Sequence, residues 1–350
     1  MARTAVVMFN LGGPDSPDAM QPFLFNLFND PAIIGAPGPV RWLLAKWISS
    51  RRAPVAREIY AHLGGKSPLL ELTEAQAAAL QDQLAGGGDD VRTFIAMRYW
   101  HPMSAETATA VAAFAPDQIV LLPLYPQFST TTVGSSLAEW RRAAHEAGLT
   151  APTRAVCCYP LDTGWIAAQA DLVGRAMSDA GRATPLRVLF SAHGLPKKVI
   201  AAGDPYQWQV ERTADAVVAA VNGGDGARIE DWTVCYQSRV GPLEWIGPST
   251  EDELARAGRD GVGVVVVPIA FVSEHSETLV ELDIEYREEA GKLGVPAYIR
   301  VPAVATHAAF IDGLAGLVEN ALARDAETLY GGDGGARLCP RSFGQCPCGA

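Results

Sequence analysis

The segment LFSAHGLPKKVIAAGDPY, Leu189–Tyr206, delivers one imidazole, His193, at the carboxyl end of an apolar run that reads as a buried strand over Leu186–Ser191. Gly194 and Pro196 stop the run directly afterwards. In open α/β sheets ligands bind beyond the carboxyl ends of the strands, so an imidazole held there is placed for proton transfer or metal ligation. A second segment, EHSETLVELDIEY, sets His275 beyond another apolar run and follows it with Glu277, Glu281 and Glu285. On a helix the spacing i, i+4, i+8 stacks those carboxylates along one face. Like charges so spaced repel by about 0.2–0.5 kcal/mol per pair. A solvated acidic face is the plain alternative. Leu279, Leu282 and Ile284 supply a buried side, and the position after a strand favours a ladder that passes protons or a hydrated divalent cation.

Three further segments follow apolar runs and fall on the same ligand-binding edge: RYWHP (Arg98–Pro102), YPQFSTTTVGSS (Tyr125–Ser136) and QSRVGPLEWIGP (Gln237–Pro248). Trp100, Tyr125, Phe128 and Trp245 offer flat apolar surface to a planar ligand, each with a place in the core as its alternative. NLGGPDS, Asn10–Ser16, forms a glycine-rich strand-to-helix turn. It lacks the third glycine and the spaced acidic partner of a dinucleotide fingerprint, and no P-loop is present, so NAD and ATP are unsupported. Gly134–Ser136 lacks the G-x-S-x-G form of a nucleophile elbow and reads as a helix start.

The tail reads CPRSFGQCPC, with Cys339, Cys346 and Cys348 in C-x6-C-x-C spacing. Such closely set thiolates suit a soft metal or an iron–sulfur site better than zinc, which favours C-x2-C pairs. A fourth thiolate is wanted, and Cys157 or Cys158 is the natural donor. Adjacent strand residues point to opposite faces, so one of the two is expected to serve. A loose tail with incidental thiols is the alternative. Cys235 lies within an apolar run and reads as core.

The elements that must position these residues alternate. Strands are expected at Ala5–Phe9, Arg92–Met97, Gln118–Leu124, Thr153–Cys158, Leu186–Ser191, Trp232–Tyr236, Gly263–Ile269 and Ala297–Val301. Helices are expected at Thr73–Leu84, Ala105–Phe114, Gly134–Ala147, Gly164–Ala180, Gln207–Val221, Thr250–Ala257 and Ser276–Leu293. Thr73 with Gln76 resembles a capping box, and Pro248-Ser249-Thr250 precedes an acidic first turn. Alternation of this kind gives an α/β fold with parallel sheets, and this many strands suit two Rossmann-like sheets. The halves look loosely alike. The expected limits are 1–160, 161–325, and a cysteine tail at 326–350 reached through a Gly-rich linker. At 350 residues and 49% hydrophobic, the chain can bury a large core or two smaller ones. A net charge of −11 argues against nucleic acid as partner. The apolar runs are too short to span a bilayer and no secretory leader is visible, so a soluble cytoplasmic protein with reduced thiols is expected.

LFSAHGLPKKVIAAGDPY is similar to the signature of the ferrochelatase family, enzymes that insert iron into a porphyrin. The resemblance continues in order along nearly the whole chain, through NLGGPDSPDAMQPFLFNLFND, RRAPVAREIYAHLGGKSP, MRYWHP, YPQFSTTTVGSS, YQSRVGPLEWIGPST and VVPIAFVSEHSETLVELDIEY. It implies a chelatase-like pair of Rossmann-like domains with the active site in the interdomain cleft. It implies that His193 accepts a pyrrole proton and that Glu277 is its acidic partner, the two meeting the Fe2+ substrate. Glu281 and Glu285 match an inner acidic path. Leu11, Arg98, Tyr99, Tyr125, Ser238, Trp245 and His275 match porphyrin-binding positions, and Arg52 and Ser67 match groups that hold propionates. The tail resembles that of members carrying a [2Fe–2S] cluster, here on Cys339, Cys346, Cys348 and Cys158 (or Cys157). The implied reaction takes protoporphyrin IX and ferrous iron to haem b, the terminal step of haem biosynthesis. Coproporphyrin or Co2+ insertion is the alternative within the class. A non-catalytic tetrapyrrole or metal-binding protein is the alternative outside it, opposed by the intact His193/Glu277 pair. Peripheral contact with the inner membrane through an apolar first helix (Phe23, Leu24, Leu27, Phe28) is compatible with this reading, as are a monomer and a homodimer.

Overall fold

The computed structural model describes residues 2–87, 90–180, 184–239, 243–325, 329–331 and 337–348. The chain divides into two compact units, Met1–Cys158 with Leu314–Gly331, and Tyr159–Gly313 with Gly332–Ala350.

In the first unit the strands are β1 (Arg3–Asn10), β2 (Asp90–Met97), β3 (Gln118–Pro123) and β4 (Thr153–Cys158). The helices are α1 (Met20–Phe28), α2 (Gly38–Ala61), α3 (Leu69–Leu84), α4 (Ser104–Phe114) and α5 (Ser135–Glu146). In the second unit the strands are β5 (Leu186–His193), β6 (Trp232–Gln237), β7 (Gly263–Pro268) and β8 (Tyr298–Arg300). Its helices are α6 (Thr163–Ala180), α7 (Lys197–Ala201), α8 (Tyr206–Gly223), α9 (Thr250–Asp260) and α10 (Tyr286–Lys292), the last preceded by a π-helical segment, Glu277–Glu285. Helix α11 (Ala308–Leu322) then carries the chain back into the first unit, where β9 (Leu329–Gly331) ends it.

Both sheets are parallel, in the orders β2-β1-β3-β4-β9 and β6-β5-β7-β8. Each therefore sets its first strand between its second and third, the common order behind the likeness of the halves. β1 is buried from Thr4 to Asn10, as a central parallel strand covered on both faces must be. β5 alternates. Val188, Phe190 and Ala192 pack with Val210, Ala214 and Val217 of α8, while Leu189 packs with Leu254 and Ala257 of α9 and with Leu282 and Tyr286. Ser249 caps α9 reciprocally with Asp252, which fixes where that helix starts.

Several expectations are corrected. α3 starts at Leu69 behind Pro68, so Thr73 is an interior residue whose hydroxyl donates to the Leu69 carbonyl at 2.7 Å, not a cap. α2 was not expected, since its apolar residues follow no single face and Pro54 lies inside it. The exposed apolar side chains Trp42, Leu43 and Trp47 lie on α2, whereas Phe23 of α1 is buried. The helix expected at Ser276–Leu293 is wound as a π segment before α10. The domain limit expected at 325 moves because Leu314–Gly331 returns to the first unit. There β9 pairs the free edge of β4, and Arg154 Nε donates to the Arg324 carbonyl at 2.7 Å. A bulge between Val156 and Cys158 also breaks the strict alternation of β4, so the Cys157 and Cys158 sulfurs lie 3.2 Å apart instead of on opposite faces.

Candidate active site

β5 and β6 end side by side, with His193 opposite Gln237. The backbone then turns at Gly194, whose N–H donates to the Gln237 carbonyl at 2.9 Å; a Cβ there would sit 3.0 Å from that oxygen and 3.4 Å from the Trp245 ring. The segments after the two strands are laced together, Lys197 N–H to the Glu244 carbonyl at 2.8 Å and Ile246 N–H to the Leu195 carbonyl at 3.0 Å. Trp245 is thereby held against Pro196.

His193 Nδ1 lies 2.8 Å from Glu277 Oε2. An ionised carboxylate only accepts, so Nδ1 carries a hydrogen and Nε2 is the nitrogen left for chemistry. The side chains keep 40% and 27% of their surface exposed, which leaves the pair open to a ligand. The Ser238 hydroxyl stands between two carboxylates, 2.5 Å from Glu281 Oε2 and 3.2 Å from Glu277 Oε2. Its N–H donates to Glu281 Oε1 at 2.8 Å. Gln237 Nε2 adds contacts of 3.2 Å to Glu281 Oε2 and to the Glu277 carbonyl, and its own oxygen accepts from Ser191 at 2.8 Å. Ser238 has φ +60°, a left-handed conformation that serine seldom adopts and that costs on the order of 1–3 kcal/mol. That conformation aims both donors of one residue at one carboxylate.

The charges in this cluster are set apart. Burial presses the His193 imidazolium down, but the Glu277 carboxylate outweighs it and the net shift is upward. Burial opposes ionisation of Glu277 as well, yet His193, His275 and Ser238 together hold its carboxyl well below the usual range. Glu281 goes the other way, pushed up by burial and by the charge of Glu277. Two carboxyls four residues apart are thus shifted in opposite directions, the kind of separation that divides acid and base roles. His275 is lowered by burial. Its Nδ1 accepts from the Glu277 N–H at 3.0 Å, so this imidazole closes the start of the π segment.

Arg300 fixes the π segment from behind. Its guanidinium takes Glu274 Oε1 at 2.5 Å and both Asp283 oxygens at 2.5 and 3.0 Å, and the Tyr298 hydroxyl donates to the Leu282 carbonyl at 2.6 Å. None of these contacts was legible in the sequence, because each joins β8 to residues well before it. Glu285, the last rung of the expected ladder, is exposed.

In the first unit the family-matched residues gather beyond β1. Arg98 and Tyr99 donate backbone hydrogens to the Asn10 and Leu11 carbonyls at 2.9 and 3.0 Å. Arg98 reaches Asp30 at 2.8 Å and Ser135 at 2.7 Å. Tyr99 is only 1% exposed and donates to the same buried Asp30 at 2.8 Å, so its ring lies in the core. Asp30 was missed because its partners come from distant turns. Ser67 is buried under Gly13 and its oxygen accepts from the Leu69 N–H at 3.3 Å. Tyr125 is half-buried, Phe128 is core, and Arg52 is exposed on α2 with its guanidinium 6.0 Å from the Phe28 ring centroid.

Residues 337–348 pack on α8 and the turn before it. Gln209 of α8 donates to Cys339 Sγ at 3.0 Å, Phe343 packs on Trp208 with centroids 6.0 Å apart, and Gln345 N–H reaches the Gly203 carbonyl at 3.1 Å. The Cys346 thiol is drawn well below its ordinary value by Cys339 first and then Cys348. Cys346 therefore lies beside Cys339 and Cys348, and thiols are donors that suit a soft metal. Among the described residues, however, no group of three or more His, Cys, Asp or Glu is arranged to hold a metal ion. The tail thiols belong to the second unit and Cys157 and Cys158 to the first.

A family model described as Ferrochelatase matches residues 3–322. The chain is 56% identical over 348 residues to a protein named Ferrochelatase from Caulobacter vibrioides (strain NA1000 / CB15N), covering 99% of this chain and 97% of that one. It is 53% identical over 348 residues to another of that name from Phenylobacterium zucineum (strain HLK1), covering 99% and 98%. Among solved structures, the sirohydrochlorin chelatase SirB from Bacillus subtilis subspecies spizizenii in complex with cobalt matches with a TM-score of 0.52 at 13% identity, over 92% of this chain and 95% of that one. At that identity the likeness speaks for the fold alone.

The His193–Glu277 contact makes a direct prediction. By NMR the His193 imidazole should titrate above the ordinary 6.5 in the unaltered protein. In Glu277→Gln the anion is gone while burial remains, so the midpoint should fall to lower pH. A midpoint that stays or rises would mean that Glu277 does not set the charge of His193.

Proposed function

The chain belongs to the ferrochelatase family, and from that premise we propose that it inserts Fe2+ into protoporphyrin IX to give haem b, with His193 and Glu277 as its catalytic pair. The observation that carries the reading is the 2.8 Å contact between these side chains at the carboxyl edge of a parallel sheet.

The chemistry asks for these groups. A free porphyrin holds two pyrrole N–H hydrogens that must leave as the ferrous ion enters. Nε2 of His193 accepts one, and the Glu277 carboxylate behind Nδ1 stabilises the imidazolium that results. Glu281, whose carboxyl is pushed up by burial and by the charge of Glu277, gives the second a resting place. Carboxylate oxygen and imidazole nitrogen suit ferrous iron and can replace its water stepwise. A flat macrocycle keeps its nitrogen lone pairs in plane, so walls that bind a bent ring more tightly than a flat one lower the barrier. Trp245, Leu11, Tyr125 and Arg98 are the proposed contributors to those walls. The exposed Trp42, Leu43 and Trp47 of α2, with Lys46 5.0 Å from the Trp42 ring centroid, support peripheral contact with the cytoplasmic face of a membrane. No described helix is long and apolar enough to cross one.

We also propose that Cys339, Cys346 and Cys348, with Cys158 or Cys157 as fourth ligand, hold a [2Fe–2S] cluster. When bound, such a cluster would cross-link the tail, and no step of iron insertion needs it. The position of Cys346 beside Cys339 and Cys348 supports this.

Three outcomes are expected. His193→Ala abolishes iron insertion while protoporphyrin still binds, measured by anaerobic turnover and fluorescence titration; near-normal turnover would remove His193 from the mechanism. Side-by-side turnover favours protoporphyrin over coproporphyrin, and the reverse preference would correct the substrate. Anaerobically purified protein shows broad visible charge-transfer bands that Cys346→Ser removes; their absence from the unaltered protein would count against the cluster.

A further inference from the structure

The hydrogen bonds that lead away from the catalytic pair do not run down the acidic ladder. Glu281 Oε2 is joined to Ser238, as described above, and its other oxygen, Oε1, faces the Tyr286 hydroxyl at 3.1 Å. That hydroxyl also lies 3.1 Å from Glu251 Oε1. Glu251 is exposed in the first turn of α9, whose other acidic residues are Asp252 and Glu253. The Tyr286 ring is fixed by packing against Leu254, Ala257 and Leu282, so its hydroxyl cannot drift from this position. A phenol owns one hydrogen, yet two carboxyl oxygens stand within hydrogen-bond distance of it. Both contacts are satisfied together only when one carboxyl carries a proton of its own. The Tyr286 hydroxyl is thus placed within reach of both Glu281 and Glu251.

We propose that protons taken from the porphyrin leave the site through Glu281, Tyr286 and Glu251, and not through Glu285. The inference rests on the reading of His193 and Glu277 as the pair that receives them. Each transfer is balanced. The Ser238 hydroxyl takes the proton from Glu277 Oε2 as it gives its own to Glu281 Oε2, one O–H bond forming and one breaking at the serine, and a half-turn of the Glu281 carboxyl brings that hydrogen to face Tyr286. The Glu281 carboxyl then gives its hydrogen to the Tyr286 oxygen as Tyr286 gives its own to Glu251 Oε1. One O–H bond breaks and one forms at the phenol, which stays neutral throughout. Glu251 loses the proton to bulk water, and the phenol hydrogen rotates back toward Glu251. Burial and the flanking carboxylates push the Tyr286 phenol up, so a free phenolate is avoided and the two transfers are concerted.

Tyr286 and Glu251 are relay positions that never touch substrate, so the test must see proton movement and not only rate. The full-length enzyme and its Tyr286→Phe, Glu251→Gln and Glu285→Gln variants would be assayed for iron insertion in dilute, weakly proton-accepting buffer. Tyr286→Phe and Glu251→Gln should each lower kcat on the order of tenfold or more with the porphyrin KM unchanged. The solvent deuterium isotope effect on kcat should grow in both, the double variant should be no slower than the slower single one, and added imidazole buffer should restore the rate. Wild-type rates in both variants would overturn the proposal. So would a slowed Tyr286→Phe that imidazole does not rescue, since that marks a structural role. A larger, rescuable loss in Glu285→Gln than in Glu251→Gln would assign the exit to the ladder. If His193→Ala retains turnover, the reading of the pair fails; if His193→Ala is inactive and the relay variants are not slowed, the exit route fails alone.

Discussion

The second unit is organised around one contact, an imidazole at the end of β5 held by a carboxylate from the π segment. Neither partner does its work alone. A His193 without Glu277 would lose charge on burial, and a Glu277 without His193 would be an uncompensated anion facing Glu281. Together they keep one nitrogen basic and pointed outward. The contact holds only if two elements distant in sequence keep a fixed spacing, and much of the surrounding structure supplies that spacing.

The support is polar where the chain bends and apolar where it packs. At the end of β6, Ser238 accepts a left-handed backbone to present two donors to Glu281. Strain of this kind persists where neighbours over-determine it, and here Gln237, Ser191 and Thr250 form a buried network beneath the turn. On the opposite side Arg300 binds the residue before His275 and the residue two beyond Glu281. Removing this cation would leave Glu274 without its ion-pair partner and Asp283 with Arg287 alone. The π winding belongs to this logic, since π segments recur at functional sites.

The first unit repeats the strategy with different groups. Asp30, buried among Arg98, Tyr99 and Ser135, ties the end of α1 to the turns after β2 and before α5. A carboxylate in that position holds loops at the carboxyl edge of the sheet in one arrangement, where the glycine-rich turn after β1 also lies. Tyr99 and Arg98 are thereby held to the same buried carboxylate.

Much of this protein was legible in the sequence. Apolar runs broken by Gly and Pro located the central strands, alternation gave parallel sheets, and strand ends marked His193, Glu277, Ser238 and Trp245 as neighbours of a ligand-binding edge. Those signals are local, set by backbone sterics and burial within a few residues. What the sequence left open was decided by contacts between distant segments. The return of Leu314–Gly331 to the first sheet, the burial of Tyr99 on Asp30, the bulge that brings Cys157 and Cys158 together, and the placement of the Tyr286 hydroxyl between Glu281 and Glu251 all depend on such contacts. A hydrogen bond between residues 35 apart, as from Tyr286 to Glu251, leaves no periodicity in either segment. It exists only once packing has set both groups within reach.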